Sequence, residues 1–110
     1  MLAAIAAIAE RHGTRIATIA HAGDGNLHPL ILSPAGDEAA RTAAQAAFEE
    51  MLTAAIGMGG TVTGEHGVGL LKRAGMRQEL SPENLLMQAA VKRTFDPRDL
   101  FNPGKVISPE

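Results

Sequence analysis

A turn signal between two β-type segments constrains the fold of this chain more than any other feature. Asp24-Gly25 is a favoured central pair of a type I′ turn, because both central positions of that turn require a positive φ. The flanking segments, Arg15 to Ala20 and Leu27 to Leu32, are mainly apolar and are bounded by turn residues, as strands are. The sequence therefore predicts an antiparallel hairpin centred on this pair.

The predicted register places two histidines opposite each other. With the turn so centred, His21 pairs with His28, and directly opposed residues have Cβ atoms about 4.5–5.5 Å apart. Two imidazoles at that distance can reach one ion, since zinc–nitrogen bonds are about 2.0–2.1 Å long. A lone histidine near a strand end is more often structural, but an opposed pair favours a metal or catalytic site. The same register fills the rest of that face with apolar pairs: Ile19 with Leu30, and Ala17 with Leu32.

A glycine-rich segment, Gly64 to Gly69 (the glycine loop), holds the third candidate ligand. Glu65 stands next to His66 there, and glycines at this density let the backbone approach a ligand closely. The glycine spacing matches neither the Walker P-loop pattern nor the dinucleotide-binding fingerprint. An acidic residue in such a loop would also repel phosphate. A carboxylate beside a histidine fits metal ligation and proton transfer better, with an incidental surface pair as the alternative. Two histidines and one carboxylate also describe the facial triad of non-haem iron enzymes, so the pattern does not name the metal.

The remaining pattern predicts an α+β chain. The order α-β-β-α-β-α resembles a split βαβ, ferredoxin-like fold without its opening strand, so we expect an incomplete ferredoxin-like domain. The tail from Phe95 to Lys105 is too rich in proline and turn residues for regular structure. Besides the hairpin, the predicted elements are a helix from Leu2 to His12, a helix from Asp37 to about Ile56, a short strand from Thr61 to Thr63, and a helix capped by Ser81 that runs to about Thr94.

Composition excludes several classes of function. The net charge of −2 gives no reason to expect binding to nucleic acid. The absence of cysteine excludes disulfides and thiolate metal sites, and it fits a reducing compartment. No apolar run approaches the ~20 residues of a transmembrane helix, and the apolar start lacks the basic segment of a signal peptide. We therefore expect a cytoplasmic chain without a transmembrane segment.

Three motifs together resemble one known family. They are His21-Ala22-Gly23-Asp24-Gly25-Asn26-Leu27-His28-Pro29-Leu30, Gly64-Glu65-His66-Gly67-Val68-Gly69 and Phe101-Asn102-Pro103-Gly104-Lys105. In this order they resemble the C-terminal domain of the FAD-linked oxidases of the vanillyl-alcohol oxidase superfamily, and within it the glycolate oxidase flavoprotein subunit and the D-lactate dehydrogenases. The resemblance covers essentially the whole chain.

The resemblance implies a role for each matching residue. It implies that His21, His28 and Glu65 are metal ligands, usually for zinc, with manganese or iron as alternatives. It implies that His66 is the catalytic base for the substrate hydroxyl. The matching cofactor-side residues are Asn26, near the flavin or substrate, and Asn102 and Lys105, in a tail that returns to the flavin domain.

The resemblance also implies a mechanism and partners. A metal that binds the carboxylate and hydroxyl of a 2-hydroxy acid would lower the hydroxyl pKa while His66 takes the proton and hydride passes to FAD. Relatives that act on 2-hydroxyglutarate have a polar residue two positions after the second histidine, and this chain has Leu30 there. We therefore expect a small substrate such as glycolate or D-lactate. Electrons would leave through an iron–sulfur subunit or a quinone.

The FAD-binding domain is not part of this sequence, which leaves two hypotheses open. In the first, the chain is a C-terminal fragment of a 2-hydroxy-acid dehydrogenase, inactive alone, whose FAD domain lies in the same or a separate chain. In the second, it is a free-standing metal-binding or interaction module that completes a separate flavoprotein subunit. We expect residues 1–78 to form the substrate- and metal-binding part, and residues 79–110 to form a helix and tail that pack on the FAD domain.

Overall fold

The computed structural model describes residues 1–107 as an α+β chain. It divides into two compact units, Met1–Gly64 and a second unit that starts at Glu65. The sequence-based division at residue 78 remains a prediction, and its second part ends outside the described residues. In chain order the elements are α1 (Leu2–Arg11), β1 (Arg15–His21), β2 (Asn26–Leu32), α2 (Glu38–Gly57), α3 (Arg73–Glu79) and α4 (Pro82–Phe95).

The first unit has a small core made by its two helices. Ile5 and Ile8 of α1 are buried against Ala47 and Met51 of α2, and Ile8 is only 1% exposed. One face of the hairpin contributes to this core through partly buried side chains: Ile16, Leu27 and Ile31. Because side chains alternate along a strand, the residues between these belong to the other face of the hairpin.

That other face is largely exposed in the described residues. Ile19 and Leu30 are 63% and 49% exposed, although both are large and apolar. His21 and His28 lie on the same face, at the end nearest the turn. The predicted apolar surface beside the histidines is therefore present, and it is not covered by the core helices.

The hairpin register differs from the predicted one by two residues. His21 pairs with Asn26, and Ile19 rather than His21 pairs with His28. The connecting loop is Ala22 to Gly25, and the Asp24 amide donates a 3.0 Å hydrogen bond to the His21 carbonyl. The predicted type I′ turn is wrong, because that turn requires a positive φ at both Asp24 and Gly25. Gly25 has a φ of 69°, but the φ of Asp24 is not positive.

The predicted third strand is absent from the described residues. The segment 61–63 is irregular, and the sheet has two strands, in the order β1-β2. Val62 is nevertheless buried, at 6% exposure. A β-type sequence forms a strand only when its backbone pairs with a neighbouring strand, and the sheet of the described residues consists of β1 and β2. The α+β class is confirmed, and the ferredoxin-like topology is not.

The second unit consists of two helices and the irregular tail. Helix α4 begins as predicted, since the Ser81 hydroxyl accepts a 3.3 Å hydrogen bond from the Asn84 amide and Pro82 opens the helix. It ends at Phe95, immediately before Asp96-Pro97. Helix α3 lies in a segment for which no element was predicted, because it carries neither a capping side chain nor an acidic first turn. No described helix is long and apolar enough to span a membrane.

Candidate metal centre

The two histidines of the first unit are brought together by the hairpin. The observed register makes His21 and His28 diagonal neighbours, because a shift of two residues preserves the face on which each side chain lies. Their ring centroids are 5.2 Å apart, with the ring planes at 87°. Two imidazoles in this arrangement can turn ring nitrogens toward a common point, as the predicted direct pair would have done.

A close contact joins the glycine loop to the same end of the hairpin. Gly64 packs against the side chain of Asn26, which pairs with His21 in the register. A Cβ at Gly64 would lie 2.5 Å from Oδ1 and 2.9 Å from Nδ2 of Asn26, too close for a side chain. Any side chain at position 64 would therefore displace the Asn26 amide, and the φ of Gly64 is not positive. Sequence reasoning missed this contact, because the spacing of glycines does not say what each one touches.

Glu65 follows Gly64 directly and completes a candidate ligand set. His21, His28 and Glu65 each offer one ligand atom, and these atoms all lie within 4.8 Å of one another. Atoms bound to one ion at about 2.1 Å are at most about 4.2 Å apart, so small side-chain rotations would suffice. Two imidazoles and a carboxylate are a suitable donor set for zinc, and also for manganese or iron. The residues present therefore fit a divalent metal.

His66 lies beside Glu65 in the glycine loop. Its Nε2 atom is 3.5 Å from Oε1 of Glu65, and the two side chains are 67% and 53% exposed, respectively. An imidazole nitrogen can accept a proton, which is the chemistry that a general base supplies.

The two predicted cofactor residues of the tail lie together in the second unit. Lys105 donates a 3.2 Å hydrogen bond from Nζ to Oδ1 of Asn102. Both line a cavity of about 670 Å³ whose walls also include Phe95 and Phe101. The cavity thus combines apolar and aromatic walls with an amide and an ammonium group.

Sequence reasoning missed Asp96, the one buried charged residue among residues 1–107. Asp96 is 6% exposed, and Lys92 forms an ion pair with its Oδ2 atom. The ion pair, together with backbone amides that donate to the carboxylate, lowers the pKa of Asp96 to about 2. One signal was available in the sequence, because an acidic residue at a helix C-terminus is unfavourable for the helix dipole and so implies another role.

Comparison with known proteins places these motifs in one family. Residues 1–106 match the family model described as FAD linked oxidases, C-terminal domain. The glycolate oxidase subunit GlcD of Bacillus subtilis is 41% identical over 108 residues, which are 98% of this chain and 23% of that protein. The mitochondrial D-lactate dehydrogenase [cytochrome] of Arabidopsis thaliana is 45% identical over 91 residues, 83% of this chain and 16% of that protein. GlcD of Escherichia coli K12 is 37% identical over 107 residues, 97% of this chain and 21% of that protein. The chain thus spans less than a quarter of the length of these relatives.

Proposed function

Because the chain belongs to the family of FAD linked oxidase C-terminal domains, we propose that it supplies the metal-binding and proton-accepting part of an FAD-dependent 2-hydroxy-acid dehydrogenase. The observation that carries the proposal is the ligand set of His21, His28 and Glu65, whose ligand atoms lie within 4.8 Å of one another. Two of the three ligands, His21 and His28, lie on a hairpin whose opposite face packs on the core, so these two have the rigid base that a metal site requires.

The residues of this chain have separate tasks in the proposed reaction. His21, His28 and Glu65 would hold a divalent ion, zinc by preference, with manganese or iron as alternatives. A bound ion would supply Lewis-acid chemistry at the substrate hydroxyl, and FAD would supply the hydride acceptor. His66 would take the hydroxyl proton on an imidazole nitrogen, and its Nε2 atom lies 3.5 Å from Oε1 of the ligand Glu65.

Three further residues are assigned to the cofactor side of the site. Asn102 and Lys105 would contact FAD, since they share a cavity wall and an amide and an ammonium group can bind a flavin carbonyl or phosphate oxygen. Asn26 would stand near the flavin or the substrate, because it pairs with His21 at the same end of the hairpin. FAD itself would be held mainly by a domain outside this chain.

The substrate is proposed to be small and to end in an apolar group. Leu30 follows His28 by two residues and so lies on the same face of β2, where it is 49% exposed. An exposed leucine beside a metal ligand favours a hydrogen or methyl group over a second carboxylate. Glycolate and D-lactate satisfy this condition, and relatives named for each are similar to this chain. A cytoplasmic location and an iron–sulfur partner remain predictions from the sequence.

The metal assignment is tested by elemental analysis of the purified chain after zinc is supplied. We expect one zinc ion per chain, and its loss in the double variant His21→Ala, His28→Ala. His12→Ala is the matched control, because His12 bonds Glu50 of α2 and is not among the candidate ligands, so this variant should keep its zinc. Absence of zinc from the unsubstituted chain, or equal zinc in the double variant and the control, would reject the site.

The proton-transfer assignment uses His66→Ala in the flavin-loaded enzyme. We expect the variant to keep its metal while the rate of flavin reduction by substrate falls about 10²–10⁴-fold, the usual contribution of a general base. Stopped-flow absorbance of the flavin measures this rate. An unchanged rate would show that His66 is not the base.

A further inference from the structure

The buried carboxylate of Asp96 organises the tail that follows α4. Oδ1 accepts a 2.9 Å hydrogen bond from the Leu100 amide, and Oδ2 accepts one of 2.9 Å from the Phe101 amide. Lys92 forms an ion pair with the same carboxylate and donates a 3.0 Å hydrogen bond to the Phe101 carbonyl. The chain from residue 96 to residue 101 is therefore closed into a loop by one acidic side chain and its lysine.

This loop holds backbone conformations that the tail would not keep unaided. Asp99 and Asn102 have φ values of 50° and 48°, in the left-handed region that non-glycine residues seldom adopt. Val106 also has a positive φ, of 59°, which is less favourable still for a β-branched residue. Such conformations persist where surrounding contacts fix them, and the bonds from Asp96 reach the two residues between Asp99 and Asn102.

The far end of the tail is tied to the glycine loop. The Arg73 side chain donates a 3.0 Å hydrogen bond to the Gly104 carbonyl, and the Val106 amide donates a 2.8 Å bond to the Gly69 carbonyl. Gly69 ends the loop that begins with Gly64 and carries His66. The tail is thus held near its start by Asp96 and near its end by Arg73 and Gly69. These contacts fix the segment that carries Asn102 and Lys105, and they also fix the end of the glycine loop.

We propose that Asp96 is a positioning residue, whose carboxylate sets the tail so that Asn102 and Lys105 meet the flavin and the glycine loop keeps its place. This inference rests on the proposed function, since it concerns how the chain presents its cofactor-side residues. Asp96 does not itself touch the reacting atoms. In the chain alone, loss of the Asp96 carboxylate should make the tail less ordered. In the flavin-loaded protein, it should change the environment of the flavin.

Asp99 provides a matched control for Asp96. Both are aspartates near Lys92, and Oδ1 of Asp99 is 3.1 Å from Nζ. Asp99 is half exposed, however, and its side chain does not accept the Leu100 and Phe101 amides, which bond Asp96. Asparagine is also well suited to the positive φ of position 99. Asp99→Asn therefore removes the same charge without removing the bonds that close the loop.

The first test is amide hydrogen exchange of the 110-residue chain, resolved by NMR. In Asp96→Asn we expect the Leu100 and Phe101 amides to exchange at least about tenfold faster, because they lose bonds to an ionised acceptor. Asp99→Asn should exchange at the unsubstituted rate. Lys92→Met, which leaves the carboxylate in place, should give a smaller increase than Asp96→Asn. Equal rates in Asp96→Asn and Asp99→Asn would overturn the inference, and this result does not depend on metal or flavin.

The second test is the visible absorption spectrum of the flavin in the loaded protein. We expect Asp96→Asn to shift the flavin bands and to lower the rate of flavin reduction, with zinc content unchanged and Asp99→Asn as the control. A flavin spectrum that is the same in Asp96→Asn as in the unsubstituted protein would show that Asp96 has a structural role only, and would overturn the positioning role. A failure of the proposed metal site appears instead as missing zinc, so the two failures are distinguishable.

Discussion

At the scale of single residues, Asp96 shows how a buried charge is kept ionised. Lys92 and two backbone amides surround its carboxylate, and the pKa of Lys92 is in turn raised mainly by Asp96. Each partner thus favours the charged form of the other. Asp99, which also lies near Lys92, adds to the same network from its exposed side.

The pH dependence of this network follows from the lowered pKa. Asp96 has a pKa of about 2 in the folded chain against an ordinary value of 3.8, so its stabilising contribution is fully present above about pH 3.8. That contribution is lost as the pH falls through about 2. We expect the amide proton shifts of Leu100 and Phe101 to titrate near pH 2 in NMR spectra. A midpoint at or above 3.8 would contradict the assignment, and Lys92→Met should move the midpoint upward.

The histidine pair illustrates why a residue-level prediction can outlast an error in register. The predicted opposition of His21 and His28 is wrong, yet the two rings are 5.2 Å apart. Side chains alternate with a period of two, so a shift of two residues changes the partner and keeps the face. A shift of one residue would have placed the histidines on opposite faces and removed the site.

At the scale of elements, the helices were predictable where local chemistry marks their ends. Asp37 caps α2 by accepting a 2.9 Å hydrogen bond from the Ala40 amide, and Ser81 caps α4 in the same way. Helix α3 has no such cap and was missed. The strand expected at 61–63 failed for the opposite reason, because a strand depends on a neighbour that local sequence does not specify.

Packing of α1 on α2 should dominate the stability of the first unit. Ile8 is 1% exposed, so Ile8→Ala should lower the free energy of unfolding by about 2–5 kcal/mol through lost contacts and a new cavity. Leu2→Ala is the control on the same helix, because Leu2 is 59% exposed and its loss should cost about 0.5 kcal/mol or less. Urea denaturation monitored by circular dichroism measures both values. Equal losses in the two variants would show that this core does not stabilise the unit.

At the scale of the whole molecule, the chain leaves much apolar surface exposed. Large apolar residues on the hairpin, α4 and the tail are more than half exposed, among them Ile19, Leu86 and Phe101. Large exposed apolar side chains, when they form a patch, commonly mark a binding surface. This is the behaviour expected of a chain that spans less than a quarter of its relatives' length.

Metal binding should be visible in the stability of the whole chain. A ligand present at about 100 times its Kd adds about 2.7 kcal/mol to the folded state if it does not bind the unfolded one. For a chain of this size that corresponds to a rise in Tm of roughly 10 °C or more. Differential scanning fluorimetry with added zinc should show the rise in the unsubstituted chain and in His12→Ala. The same rise in the His21→Ala, His28→Ala variant would argue against the proposed ligands.

The sequence by itself determined the α+β class, the ends of the capped helices, the existence of the hairpin and the face on which its histidines lie. These depend on local capping and on side-chain periodicity, which adjacent residues carry. Only the tertiary structure decided the register, the packing of Gly64 against Asn26 and the burial of Asp96 beneath the tail. These features depend on contacts between residues that are distant in sequence. No local pattern specifies which residue pairs with a buried charge or which side chain packs against a glycine.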